Sequence, residues 1–475
     1  MLFNSYEFIL VFLPVTFIGY FAIAKTISKL NNDMLGRKCA VFWLTLMSII
    51  FYSWWSYKYV ILLMLSISFN YFIGINIERK KSKKWLIFGI VIDVLLLGYY
   101  KYTGFFIDNI NTFFSMSYEI PNIILPLGIS FFTFTQIAYL VDIYRGETAN
   151  KGFLTYCEFV TIFPHLIAGP IINHKHMMPQ FLAKENFKIN YDNIAIGSTL
   201  FTMGLFKKVV VADSFALLVS KFYSKIDILN SIESWMAIIS YDFQLYFDFS
   251  GYSEMAIGLG LLFNLRLPIN FNSPYQSCSV IELWRRWHMT LGEWLKSYIY
   301  IPLGGGRNGE FAKMRNLFIS MVLIGFWHGA NWTYVIWGAL QGIFLAINHQ
   351  WRKLNIRLPL VLCWGLTAIS FVSSTVFFKA ESTGVAMNML NKMFDISELY
   401  YIFITTDIWY EVFNVYINDI EMLVITTIVV ITIKNPVVLM EKFKPNYCWI
   451  IGITLMFLYV ITRLSNYSEF LYFQF

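Results

Sequence analysis

His328 lies in a stretch from Asn316 to Trp351 that contains no Asp, Glu, Lys or Arg. Its neighbours read Phe326-Trp327-His328-Gly329-Ala330-Asn331-Trp332. An imidazole titrates near neutrality, so it can take a proton from a reacting hydroxyl and return it to a leaving group. A helix from Asn316 to Trp327 would rise about 18 Å, more than half of a hydrocarbon core of roughly 30 Å. His328 is therefore expected deep within the membrane, beside a glycine able to end or bend the helix. Ionisable groups at such depth are costly, and this makes them functional candidates. A second histidine, His288, follows Trp284-Arg285-Arg286-Trp287. Ser279 and Glu282 form a capping-box signature. Beyond it Ile281, Trp284, His288, Leu291, Leu295 and Tyr298 recur three and four apart, the period of one helix face. This pattern predicts an amphipathic helix at the membrane interface, with His288 on its apolar stripe.

The elements that must position these residues are transmembrane helices. The chain has 475 residues, of which 57% are hydrophobic and only 14% charged, against about 25% charged in soluble domains. No run alternates as an outer-membrane strand does, so helices are the spanning structure. The apolar runs predict an all-α polytopic membrane protein with about 11 crossings plus re-entrant and interfacial helices around a central channel. A single integral-membrane domain over residues 1–475 is expected. The first helix, about Phe8 to Ala24, lacks a basic leader and a small-residue cleavage site, and reads as a retained membrane helix.

The net charge of +7 does not indicate nucleic acid, because its distribution follows topology. Lys25, Lys29, Arg37 and Lys38 form one basic turn, and Arg79, Lys80, Lys81, Lys83 and Lys84 form another two helices later. Positive loops face the cytoplasm, which puts the N-terminus outside and Ser53-Trp54-Trp55-Ser56-Tyr57 at the outer interface. The cysteines at 39, 157, 278, 363 and 448 make no paired motif, so neither a disulfide framework nor a Cys-based zinc site is expected.

Other polar residues point to structure. Asp248 and Glu254 are six apart, about 240° around a helix, so they form no paired-carboxylate face. Structural hydrogen bonding is expected for Asp248, and a contact to a neighbouring helix for Asp93 within its apolar run. His174 and His176 flank Lys175 without a third ligand motif, and no metal is expected. Gly304-Gly305-Gly306 can expose backbone N–H groups but matches no nucleotide motif.

Taken in order, several segments resemble the membrane-bound O-acyltransferases. They are Asp248-Phe249-Ser250-Gly251-Tyr252-Ser253-Glu254, Phe271-Asn272-Ser273-Pro274-Tyr275, Trp284-Arg285-Arg286-Trp287-His288 and Trp327-His328-Gly329. Within that family the resemblance is to the bacterial alginate O-acetyltransferase branch. Phe163-Pro164-His165-Leu166-Ile167-Ala168-Gly169-Pro170, Tyr139 to Gly146, the opening Met1-Leu2-Phe3-Asn4-Ser5 and the aromatic ending Phe470 to Phe475 add to it. The resemblance implies that His328 is the catalytic histidine and His288 the second histidine of the bacterial branch. The two prolines of the segment around His165 predict a broken or re-entrant stretch, and a structural role is expected for that histidine. The resemblance also implies acetyl-CoA or another acyl thioester as donor and a secreted or cell-wall polysaccharide as acceptor. An extracytoplasmic acetyltransferase or SGNH-hydrolase-like protein would be the partner that completes transfer.

Two alternatives stand beside this reading. A D-alanyl transfer subunit for teichoic acids would take its acyl group from a carrier protein docked near Trp284 to Arg315. A transporter or flippase for a lipid-linked saccharide would use the aromatic content, 19% of residues, to line a sugar path. Such folds are often built from internal repeats, and none is visible between the two halves of this chain.

Overall fold

A chain in hydrocarbon must satisfy its backbone polar groups within itself. In the computed structural model every regular element among the described residues is helical. The description covers residues 1–475 except 30, 31, 148–151, 442, 445, 465–469 and 472–475; for 403 and 406–413 it covers the backbone alone. Seven helices among the described residues are long and apolar enough to cross a membrane. These are Phe8–Ser28, Asp33–Ser53, Tyr57–Lys80, Lys83–Phe114, Tyr191–Tyr223, Leu360–Lys379 and Asn414–Thr432. Ile129–Tyr144 and Tyr447–Ile461 are shorter apolar helices. The expected turns fall between these elements. Lys81 ends one helix in the left-handed region (φ 45°), and Trp54 and Trp55 stand exposed between two others.

The fold comprises two compact units. The first holds Met1–Phe206, Gly251–Ile269 and Lys442–Gln474. Its interior pairs polar groups between helices. Asn70 Nδ2 donates to Asp93 Oδ1 at 2.8 Å, the neighbouring-helix contact expected for Asp93. Thr45 donates to Glu158 at 2.6 Å, and Gln136 to Ser66 at 2.9 Å. Phe3, from the opening motif, is fully buried and stacks on Tyr252 at 4.8 Å. Phe470 meets the same ring edge-on; residues 472–475 of the aromatic ending lie outside the described residues. The Phe153–Thr161 helix breaks at Ile162 (φ −48°, ψ 118°) and resumes as the short turn Phe163–Leu166, the break that its prolines predict.

The second unit holds Lys207–Ser250 and Asn270–Glu441, and both candidate histidines fall in it. Its centre is an antiparallel pair, Gly309–His328 and Trp332–Trp351. A Cβ on Gly325 would sit 2.2 Å from the Tyr334 carbonyl, and one on Gly338 2.4 Å from that of Met321. The pair thus approaches backbone to backbone at glycines, which fixes its register at the end bearing His328.

Candidate active site

The helix carrying His328 ends at that residue, and Gly329 turns the chain out of it, as the sequence predicts. A side chain at 329 would strike the Tyr334 ring at 2.1 Å, so the turn requires glycine. Asn331 then caps the next helix, its side chain accepting from the Thr333 N–H at 3.0 Å. His328 is 6% exposed. Trp327, Trp337 and Phe378 pack on it with ring centroids 4.9, 5.3 and 5.1 Å away. The three rings meet the imidazole at interplanar angles of 65°, 87° and 72°, so it sits at the helix end in a largely aromatic surround.

Trp337 is held from behind. It packs on Trp284 at 6.0 Å. The Trp284 indole donates to Gln341 at 3.1 Å, and the Gln341 amide donates to Ser374 at 2.5 Å. Helix Val280–Arg286 therefore reaches the His328 surroundings through Trp284, while Trp287 leads directly into His288.

At His288 the sequence expectation is corrected. The amphipathic helix predicted to run through it is two short helices, Val280–Arg286 and Met289–Leu295, with the break at Trp287 and His288. His288 adopts φ 43°, a left-handed conformation no helix interior contains. The segment at Asn270 to Asn272 docks into the break and takes up its backbone groups. Met289 N–H donates to the Asn270 carbonyl, and Asn272 N–H to the Arg286 carbonyl, both at 2.9 Å. Apolar spacing cannot register such an interruption. The start of the first helix is as predicted: Ser279 Oγ accepts from the Glu282 N–H, and Glu282 reaches back to the Cys278 N–H.

His288 is 2% exposed, and Phe249 packs edge-on against it at 4.8 Å. Asn270 Oδ1 lies 3.1 Å from its Nδ1 and also accepts from the Thr290 hydroxyl and N–H. An oxygen already accepting from Thr290 accepts here too, so Nδ1 carries the proton and Nε2 the lone pair. Burial pulls the imidazole pKa down to about 3. His288 is therefore a neutral acceptor at Nε2.

Asp248 takes the structural place expected of it. It lies 2.7 Å from Lys208 Nζ, which also pairs with Asp213 at 3.0 Å. The cation sits in a π-helical turn, Lys207–Ala212, that the sequence does not signal. Lys208 thereby anchors the turn of helix that presents Phe249 to His288. In the first unit, His165 is fully buried, with Nδ1 2.8 Å from the Pro170 carbonyl and Nε2 3.3 Å from Thr135 Oγ1. His174 approaches Asp142 at 3.7 Å, but burial, aided by Lys175, holds it down to about 3 and keeps it neutral. Among the described residues no group of three His, Cys, Asp or Glu comes together as a metal site. The triple-glycine loop is pinned by Asn316, whose amide donates to the Leu303 and Gly305 carbonyls at 3.0 and 2.9 Å.

Sequence reasoning missed Asn270, Phe249's contact with His288, Trp337 and Phe378. Asn270 immediately precedes the quoted Phe271 to Tyr275 segment, which was the available signal. His349 also lies in the uncharged stretch, partly exposed at the far end of the Trp332–Trp351 helix from His328.

The profile of the membrane-bound O-acyltransferase family matches residues 149–383, which include His165, Asp248, His288 and His328. A peptidoglycan O-acetyltransferase from Helicobacter pylori is 45% identical over 83% of this chain and 80% of its own length. The chain belongs to the membrane-bound O-acyltransferase family. It is an enzyme, an O-acetyltransferase of that family. A probable alginate O-acetylase from Pseudomonas aeruginosa is 41% identical over 83% of this chain and 75% of its own. A teichoic acid D-alanyltransferase from Streptococcus thermophilus is 29% identical over 48% of this chain and 57% of its own.

Proposed function

We propose that this O-acyltransferase moves acetyl groups from a cytoplasmic thioester, acetyl-CoA, through a central channel to the O-acetylation of a secreted or cell-wall polysaccharide. Residues 1–475 act as one catalytic domain with about 11 crossings and an extracytoplasmic N-terminus. His328 is the base. It takes the proton of the attacking hydroxyl as oxygen bonds to the thioester carbonyl carbon. The C–S bond then breaks and the proton passes to the departing thiolate. His288, neutral with its lone pair on Nε2, orients a substrate by accepting a hydrogen bond. Polarising the thioester carbonyl would need a proton on Nε2, and burial opposes that. An extracytoplasmic acetyltransferase or SGNH-hydrolase-like partner receives the acetyl group and completes transfer onto the sugar.

The observation that carries this reading is His328 itself: the last residue of an apolar helix, buried among Trp327, Trp337 and Phe378. The acetyl donor and polysaccharide acceptor rest on the Helicobacter and Pseudomonas relatives, which resemble far more of this chain than the D-alanyltransferase does. The test is proteoliposomes supplied with radiolabelled acetyl-CoA on the side of the Lys25 and Arg79 turns alone. Release of free CoA with label appearing on the opposite side supports the reading. Turnover solely with an acylated carrier protein would favour D-alanyl transfer, and saccharide movement without thioester loss would favour a flippase.

A further inference from the structure

Acyl transfer makes no use of the basic turn at Lys25, Lys29 and Arg37. In the first unit these three residues line a cleft of about 550 Å³ together with Lys184 and Lys188. Five cations face one carboxylate, Asp33, which pairs with Lys184 at 3.5 Å. Arg37 is fixed in place, its guanidinium donating to the Leu182 carbonyl at 2.7 Å and the Asp33 carbonyl at 3.3 Å. Lys25, Lys29 and Lys188 are exposed. The adjoining cleft around Lys184 and Lys188 also contains Glu185 and Asp192 and has no such excess. The basic cleft has an apolar side as well. Phe21 and Ala24 are buried along it, and Phe187 stacks on Tyr20 at 5.4 Å.

Its position decides which anion suits it. The cleft lies where two candidate membrane spans, Phe8–Ser28 and Asp33–Ser53, end and begin, the depth at which phospholipid headgroups sit. Basic pockets between membrane helices match anionic headgroups, and the apolar side matches the glycerol and upper acyl carbons. We propose that this cleft binds the headgroup of an anionic phospholipid, a site separate from the histidines and independent of the acyl-transfer reading. Free phosphate and the phosphates of a nucleotide thioester share the charge but make no use of the apolar wall.

The test is native mass spectrometry of the full chain titrated with phosphatidylglycerol or phosphatidylcholine, beside the triple variant Lys25→Gln, Lys29→Gln, Lys188→Gln. Phosphatidylglycerol should be preferred, and each lysine removed should weaken it about fivefold while phosphatidylcholine binding stays unchanged. The triple Lys→Arg variant should keep the preference. If the glutamine triple fails to fold, Lys188→Gln alone carries the test. Equal binding of the two lipids would overturn the proposal. So would displacement of phosphatidylglycerol by inorganic phosphate or CoA at constant ionic strength, which would mark a soluble-anion site.

Discussion

His165 and His328 are both buried histidines at broken helices, and the structure gives each ring its own set of contacts. His165 is held by oxygen. The Pro170 carbonyl can only accept, so Nδ1 donates to it, and Nε2 faces the Thr135 hydroxyl. His328 is packed by three rings at the end of its helix. The first arrangement locks a tautomer and ties two segments of chain together. The second packs an imidazole among aromatic rings at a helix end. Burial is common to both rings; the groups packed against them are not.

The sharpest way to break this contrast is to exchange the phenotypes. His328→Ala should lower acetyl transfer by on the order of 10²- to 10⁴-fold, with the melting temperature of purified protein near wild type. His165→Ala should do the reverse. Losing a buried hydrogen-bonded group costs about 1–3 kcal/mol, which should appear as a lower melting temperature with turnover per folded molecule retained. A smaller effect is expected at Asn270→Ala, which frees the His288 ring from its anchor. Turnover should fall about tenfold with the pH profile unmoved, since an orienting group contributes less than the base itself.

The smallest effect concerns pH and His288. Its folded imidazole is held down to about 3 from 6.5. Between those values the unfolded chain takes a proton that the folded one refuses. Stability from this group is thus complete above pH 6.5 and lost as pH falls toward 3, by at most about 1.4 kcal/mol per pH unit. His288→Asn should flatten that slope in denaturant titrations at pH 5 and 7. An unchanged slope would show that His288 is protonated in the folded protein.

How much was legible in the sequence follows from range. Ser279 capping its helix and Gly329 ending another are local events, and the residue types announce them. The break at His288 was hidden because the apolar spacing runs straight through it. What interrupts the helix is Asn270, supplied from a segment that the spacing does not connect to it. Lys208 was likewise invisible as the partner of Asp248, since a π-helical turn aims it and no periodicity predicts one. Asp93 could be assigned a helix contact from its place within an apolar run, but only the fold identifies Asn70. Trp337 and Phe378 look like any other aromatics in an apolar chain until the helices Trp332–Trp351 and Leu360–Lys379 bring them against His328.

The measurement that tests the central claim most directly is single-turnover acetyl transfer from radiolabelled acetyl-CoA, with folded protein matched across wild type, His328→Gln and His165→Gln. Loss of transfer in the His328 variant alone is the predicted result. Transfer near wild type in the His328 variant, or equal loss in both, would contradict the assignment of His328 as the base.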